Sequence, residues 1–98
     1  MNENVSGLEI RAFNFRRVEA GNLRAFCSVD IGGKIKLYSC RVIQQPGQLA
    51  WPSLPQREWT DSLGVRRFYA VVQLPKHVEP EVKQAILRGW ERSERDRP

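Results

Sequence analysis

Residues 23–43 read LRAFCSVDIGGKIKLYSCRVI. Two runs rich in apolar and β-branched residues flank Gly32 and Gly33, and paired glycines supply the positive φ angles that a tight reversal needs. The stretch is therefore predicted to be a β-hairpin. Leu23, Ala25, Cys27, Val29 and Ile31 alternate with Arg24, Ser28 and Asp30, so the first strand buries one face. Phe26 breaks the pattern by standing on the polar face. The second strand starts with Ile35 and Leu37 in odd phase and ends with Cys40 and Val42 in even phase. Strand side chains alternate with a period of two, so this switch calls for a one-residue bulge near Tyr38 and Ser39, or for burial of both faces at a subunit contact.

On the N-terminal side, Leu8 to Val18 reads as a strand in which Leu8, Ile10 and Ala12 alternate with Glu9 and Arg11. Phe13 and Phe15 break its phase, so it is expected to bend or to bury both sides. Residues 19–22 (EAGN) form a turn. On the C-terminal side, Gln44 to Gln48 is a Pro-Gly reversal, and Leu49 to Leu54 is extended. Pro52 lacks a backbone N–H and confines that segment to a sheet edge or an irregular stretch. Pro55 to Val65 is polar and unpatterned and is read as a loop. Arg66 to Leu74 is a strand that Pro75 ends.

A helix is predicted from about Pro80, because proline suits the first helical turn and Glu79 and Glu81 suit the positive end of the helix dipole. Val82, Ala85, Ile86, Gly89 and Trp90 form one apolar stripe. Glycine inside a helix costs about 1 kcal/mol relative to alanine, so Gly89 points to a close approach between helix and sheet. From Glu91 onward the chain is charged on all sides and is expected to fray.

The fold class read from these elements is α+β. A small antiparallel β-sheet of four or five strands, a meander with a central hairpin, is followed by one C-terminal helix packed on one face. Residues 1–7 read as a flexible N-terminus, 8–90 as a single domain, and 91–98 as a charged, disordered tail. One helix covers one face of such a sheet, leaving the other face or an edge to water or to a partner.

The net charge of +5 is unevenly placed. Residues 1–22 and 79–98 are each neutral, whereas residues 23–45 carry +3 and residues 46–78 carry +2. The excess lies on the expected sheet and its loops, a distribution that attracts polyanions. No apolar run approaches the roughly 18 residues of a membrane span, and the polar start MNENVSG has no signal-peptide character, so a cytoplasmic location is expected. Cys27 and Cys40 are expected to be reduced core thiols, although neighbouring strands leave a bridge geometrically open. His77 is the one other soft ligand and no short Cys spacing exists, so neither a metal site nor a cofactor is expected. There is no glycine-rich phosphate loop, no nucleophile-elbow motif and no carboxylate pair set among apolar residues. Asp61, Ser62 and His77 are ordinary loop residues, and neither catalysis nor a small-molecule substrate is expected.

Three groups of motifs carry a family resemblance. Phe15-Arg16-Arg17-Val18 is followed by Leu23-Arg24-Ala25 and by Arg41-Val42-Ile43; next comes Trp51-Pro52-Ser53-Leu54-Pro55-Gln56-Arg57-Glu58; last come Leu74-Pro75 and the stripe from Val82 to Trp90. In order and spacing, from Leu8 to Trp90, these resemble the SpoVG (stage V sporulation protein G, septation regulator) family. Only the first of that family's paired basic residues after its M-P-S segment is matched, by Arg57. The resemblance implies a homodimeric sheet-plus-helix regulator of the bacterial cytosol that binds DNA, and in some members RNA.

The candidate nucleic-acid-binding residues are Arg57, Arg66, Arg67, Lys76, Arg24 and Arg41. Arg57 lies beside Trp59 in the polar loop, Arg66 and Arg67 enter the last strand, and Lys76 leaves it. Guanidinium groups contact phosphates bidentately. Trp59 could stack on an unpaired base, but is read as capping the core. Arg24 and Arg41 are expected near-opposite in the hairpin, where like charges call for an anion or acid between them. Arg16 and Arg17 would extend the surface, whereas Lys83 and Arg88 read as salt-paired helix positions. The expected partners are nucleic acid, DNA rather than RNA, and a second copy of the chain. The alternative is a protein-interaction module that recruits a partner through an exposed sheet edge.

Overall fold

The computed structural model describes residues 7–97. Of the expected flexible N-terminus only Gly7 falls within this range; residues 1–6 lie outside it. Strands β1 (Ile10–Ala20), β2 (Leu23–Ile31), β3 (Ile35–Ile43) and β4 (Trp51–Ser53) form one antiparallel sheet in the order β1-β2-β3-β4. Strands β5 (Gln56–Thr60) and β6 (Arg66–Ala70) pair with each other in a separate two-stranded ribbon, and helix α1 (Glu79–Arg95) follows. The α+β class, the meander and the single C-terminal helix are as the sequence implied.

The central hairpin turns at Gly32 (φ +64°) and Gly33 (φ +70°), with the Gly33 N–H donating to Asp30 Oδ1 at 2.7 Å. The bulge expected near Tyr38 is present. Cys27 pairs with Cys40 and Val29 with Leu37, so Tyr38 and Ser39 together oppose Ser28, and Ser39 takes a φ of +63°. A second bulge explains the phase break in β1. Phe13 pairs with Ser28 and Arg16 with Phe26, so one extra residue is accommodated around Asn14, at φ +57°, a conformation that asparagine tolerates better than most residues. Without it, Ala12 and Phe15 would lie on opposite faces; with it, Ile10, Ala12, Phe15 and Arg17 share the helix side.

The core lies between α1 and one face of the sheet. Val29, Cys40, Val42, Val82 and Ile86 are fully buried, joined by Ala25, Cys27, Ile31, Leu37, Val78 and Trp90. The helical stripe falls where its spacing placed it, with Val82, Ala85, Ile86 and Trp90 buried. Pro80 sits in the first turn.

Three expectations are corrected. The helix does not stop at Trp90 but runs to Arg95, because Glu94 is ion-paired to Arg17 of β1 and Arg92 and Arg95 complement the negative end of the dipole; the tail read as disordered is helical through most of its length. Pro55 to Val65 is not a loop, since Gln56–Thr60 is a strand. Its partner Arg66–Ala70 is shorter than expected and leaves the main sheet. The expected bend of β1 is borne out at Phe15, whose ring packs on the core beneath the helix.

Candidate nucleic-acid interface

Every residue of β5 and β6 is exposed, and neither the helix nor the four-stranded sheet closes over the ribbon. An isolated two-stranded hairpin is marginal in water, so its ends and tip must supply the order. Asp61 holds the tip. Its Oδ1 accepts the N–H groups of Leu63 (2.9 Å) and Val65 (3.0 Å), and its backbone N–H donates to the Val65 carbonyl at 3.0 Å. At the base, Arg41 of β3 donates to the Gln56 carbonyl at 3.3 Å, and the Val71 N–H donates to the Pro55 carbonyl at 3.4 Å.

The register divides the ribbon into two chemically different faces. Arg57 pairs with Tyr69 and Trp59 with Arg67, so these four side chains share one face. Trp59 is 49% exposed and Tyr69 46%. The other face carries Gln56, Glu58, Thr60, Arg66, Phe68 and Ala70. There Arg66 is ion-paired to Glu58, which holds that carboxylate below its usual range and raises Arg66; Arg41 adds a smaller pull on Glu58. Arg67 pairs with Asp61 at 3.0 Å. Asp61 is also lowered, first by the Val65 N–H and then by Arg67. Arg57 makes no ion pair among the described residues.

The six candidate cations therefore separate. Arg57 and Arg67 converge on one aromatic-bearing face, Arg67 paired there with Asp61, whereas Arg66 points the opposite way onto Glu58. Arg41 stands at the ribbon base. It does not face Arg24, because it pairs with Phe26 while Arg24 is the extra residue of a β2 bulge between the pairs Leu23–Ile43 and Ala25–Val42. No intervening anion is needed. Lys76 lies exposed in the turn that precedes α1. Arg17 is withdrawn from any basic surface, since it stacks over Trp90 at 5.1 Å and pairs with Glu94. Lys83 is salt-paired with Glu79 at 3.1 Å, as read.

Trp59 does not cap the core. A strand bare on both sides has no apolar–polar period, so burial could not be inferred from its surroundings. Tyr69 escaped the sequence reading for the same reason. The available signal was the Asp61-Ser62-Leu63-Gly64 turn, which marks a hairpin tip between two short strands.

Other chemistries find no assembly. Among the described residues no three His, Cys, Asp or Glu side chains gather as a metal-binding group, and no helix is long and apolar enough to cross a membrane. Compared with known proteins, the chain matches no family model, no curated protein and no solved structure.

Proposed function

We propose that the chain is a nucleic-acid-binding regulatory protein of the bacterial cytoplasm, with DNA as the preferred partner, acting as a homodimer. The observation that carries this reading is the ribbon face on which Arg57 and Arg67 alternate with exposed Trp59 and Tyr69. Guanidinium groups supply phosphate contacts, and flat aromatic side chains beside them supply contact area on sugars and bases. The order of motifs shared with the SpoVG family supports the same conclusion.

Dimerisation through strands has a candidate seam. Strand β4 pairs only with Arg41, Val42 and Ile43, so the outer edge of β3 from Ile35 to Cys40 has no neighbouring strand among the described residues. Such an edge accepts another strand. The same edge favours the second reading, an adaptor that recruits a protein partner.

Binding to duplex DNA across a salt series separates the two. Affinity should fall with a log–log slope of about −0.9 per phosphate neutralised. Arg57→Ala should flatten that slope and weaken all sequences alike, whereas Arg66→Ala and Arg67→Ala, whose guanidinium groups are held by Glu58 and Asp61, should each do less. Sedimentation should report a dimer at low micromolar concentration. An absence of binding even in low salt would leave the adaptor.

A further inference from the structure

Phe26, the apolar residue out of place in the first strand of the hairpin, belongs to a second surface that meets the ribbon only through Arg41. Among the described residues no helix or strand packs on the sheet face opposite α1. Its paired positions are Arg11, Asp30 and Lys36 in one row, Phe13 and Ser28 with the bulged Tyr38 and Ser39 in the next, and Arg16, Phe26 and Arg41 in a third. Aromatic side chains thus stand on three adjacent strands. Tyr38 is 63% exposed and helps to line, with Phe26, Arg16 and Ser28, a shallow hollow of about 100 Å³. Arg11 lies over the Phe13 ring and Arg16 over the Phe26 ring, each at 5.9 Å.

Resting on the nucleic-acid reading above, we propose that this open face binds single-stranded nucleic acid, stacking unpaired bases on Phe26 and Tyr38 while Arg11, Arg16, Lys36 and Arg41 contact the backbone. Charge decides the occupant. Those four cations outnumber the acids beside them, Asp30 and Glu9 near Arg11 and Glu58 near Arg41, so a second copy apposed through the same face would set an excess of like charge together, whereas a polyanion is matched. Shape decides the strandedness. A duplex hides its base faces, and a gently twisted sheet with aromatics on adjacent strands offers a stacking platform to bases that are already free. Tyr38 reaches this face by simple alternation after buried Leu37, and the bulge adds Ser39 beside it before Cys40 returns to the core.

The test compares oligo-dT, an abasic strand of equal length and charge, and a duplex, read by anisotropy on the full chain. Oligo-dT should bind more tightly than the abasic strand. Tyr38→Leu should weaken oligo-dT roughly five- to hundred-fold, the range for losing one stacked base, and leave the abasic strand and the duplex unchanged. Phe26→Leu, checked for folding by circular dichroism, should act in the same direction; if it unfolds, exposed Tyr38 decides alone. Equal binding of oligo-dT and abasic strand, or an unchanged oligo-dT affinity in Tyr38→Leu, overturns the inference while ribbon-dependent duplex binding stands. A Tyr38→Leu protein that loses only self-association would assign the face to a second copy and overturns it too. Binding to none of the three overturns this inference and the proposed function together.

Discussion

Gly89 of α1 lies directly against the ring of Phe15. A Cβ built on Gly89 would come within 2.6 Å of Phe15 Cε1, 2.7 Å of Cζ and 3.3 Å of the Ala12 Cβ. The glycine lets helix and β1 approach to a distance that no other residue permits without movement. Gly89→Ala gains about 1 kcal/mol of helix propensity but forces an aromatic ring out of a packed position, which typically costs about 1–3 kcal/mol. Net destabilisation of about 1 kcal/mol is expected in denaturant melts. In a Phe15→Leu background the same change should become neutral or stabilising, and a double-mutant cycle with no coupling would disprove the contact.

Trp90 closes the helical stripe at 7% exposure, with Arg17 stacked on its outer side. Trp90→Ala should cost about 3–5 kcal/mol, a large share of the roughly 5–15 kcal/mol typical of whole domains, and the variant should lack a cooperative thermal transition. Arg17→Ala loses the ring contact and the Glu94 pair together and should lower stability by about 1 kcal/mol. A parent-like melt for Trp90→Ala would refute the docking of α1.

The ribbon should respond to acid. Asp61 and Glu58 are both held below their ordinary values of 3.8 and 4.5. A carboxylate lowered by folding contributes stability that is complete above its unfolded pKa and is lost as pH falls through the folded one. Amide exchange at Leu63 and Val65, whose N–H groups Asp61 accepts, should therefore accelerate as pH drops from about 5 to about 2, after correction for intrinsic rates. Asp61→Ala should show the loosened tip already at neutral pH. Unchanged protection across that range would count against Asp61 as the organiser of the tip.

Cys27 and Cys40 face each other across β2 and β3 as free, buried thiols. Burial pushes Cys27 up to about 12, with a further contribution from Cys40, and Cys40 up to about 11. Both stay protonated at neutral pH, and the thiolate is the reactive form. Alkylation should be negligible in the native protein and rapid in denaturant. Because these folded values lie above the unfolded value of 9.0, stability should decline as pH rises past 9 toward 11–12. Fast native alkylation would contradict the burial.

How much was legible depended on whether an element buries one face. The hairpin at Gly32 and Gly33, the Tyr38-Ser39 bulge and the Val82–Trp90 stripe each leave a phase in the sequence, since burial on one side imposes a period of two or of 3.6. The ribbon leaves none. Gln56–Thr60 is exposed on both sides, so its apolar and polar residues follow no period, and Trp59 read as core. The candidate cations were legible as residue types, because charge is written in composition. Their grouping was not.

By itself, the amino-acid sequence determined the class of fold, the burial of one sheet face under one helix, and the concentration of positive charge between residues 23 and 78. The tertiary structure alone decided which charges act together. Arg66 and Arg67 are neighbours in the chain, yet strand geometry sends them to opposite faces of the ribbon, one onto Glu58 and the other beside Arg57, Trp59 and Tyr69. Arg16 and Arg17 part in the same way, one to Phe26 on the open face and the other to Trp90 and Glu94. The reason is physical: alternation separates adjacent side chains, while bulges and cross-strand register, which depend on the partner strand, choose which face each one joins.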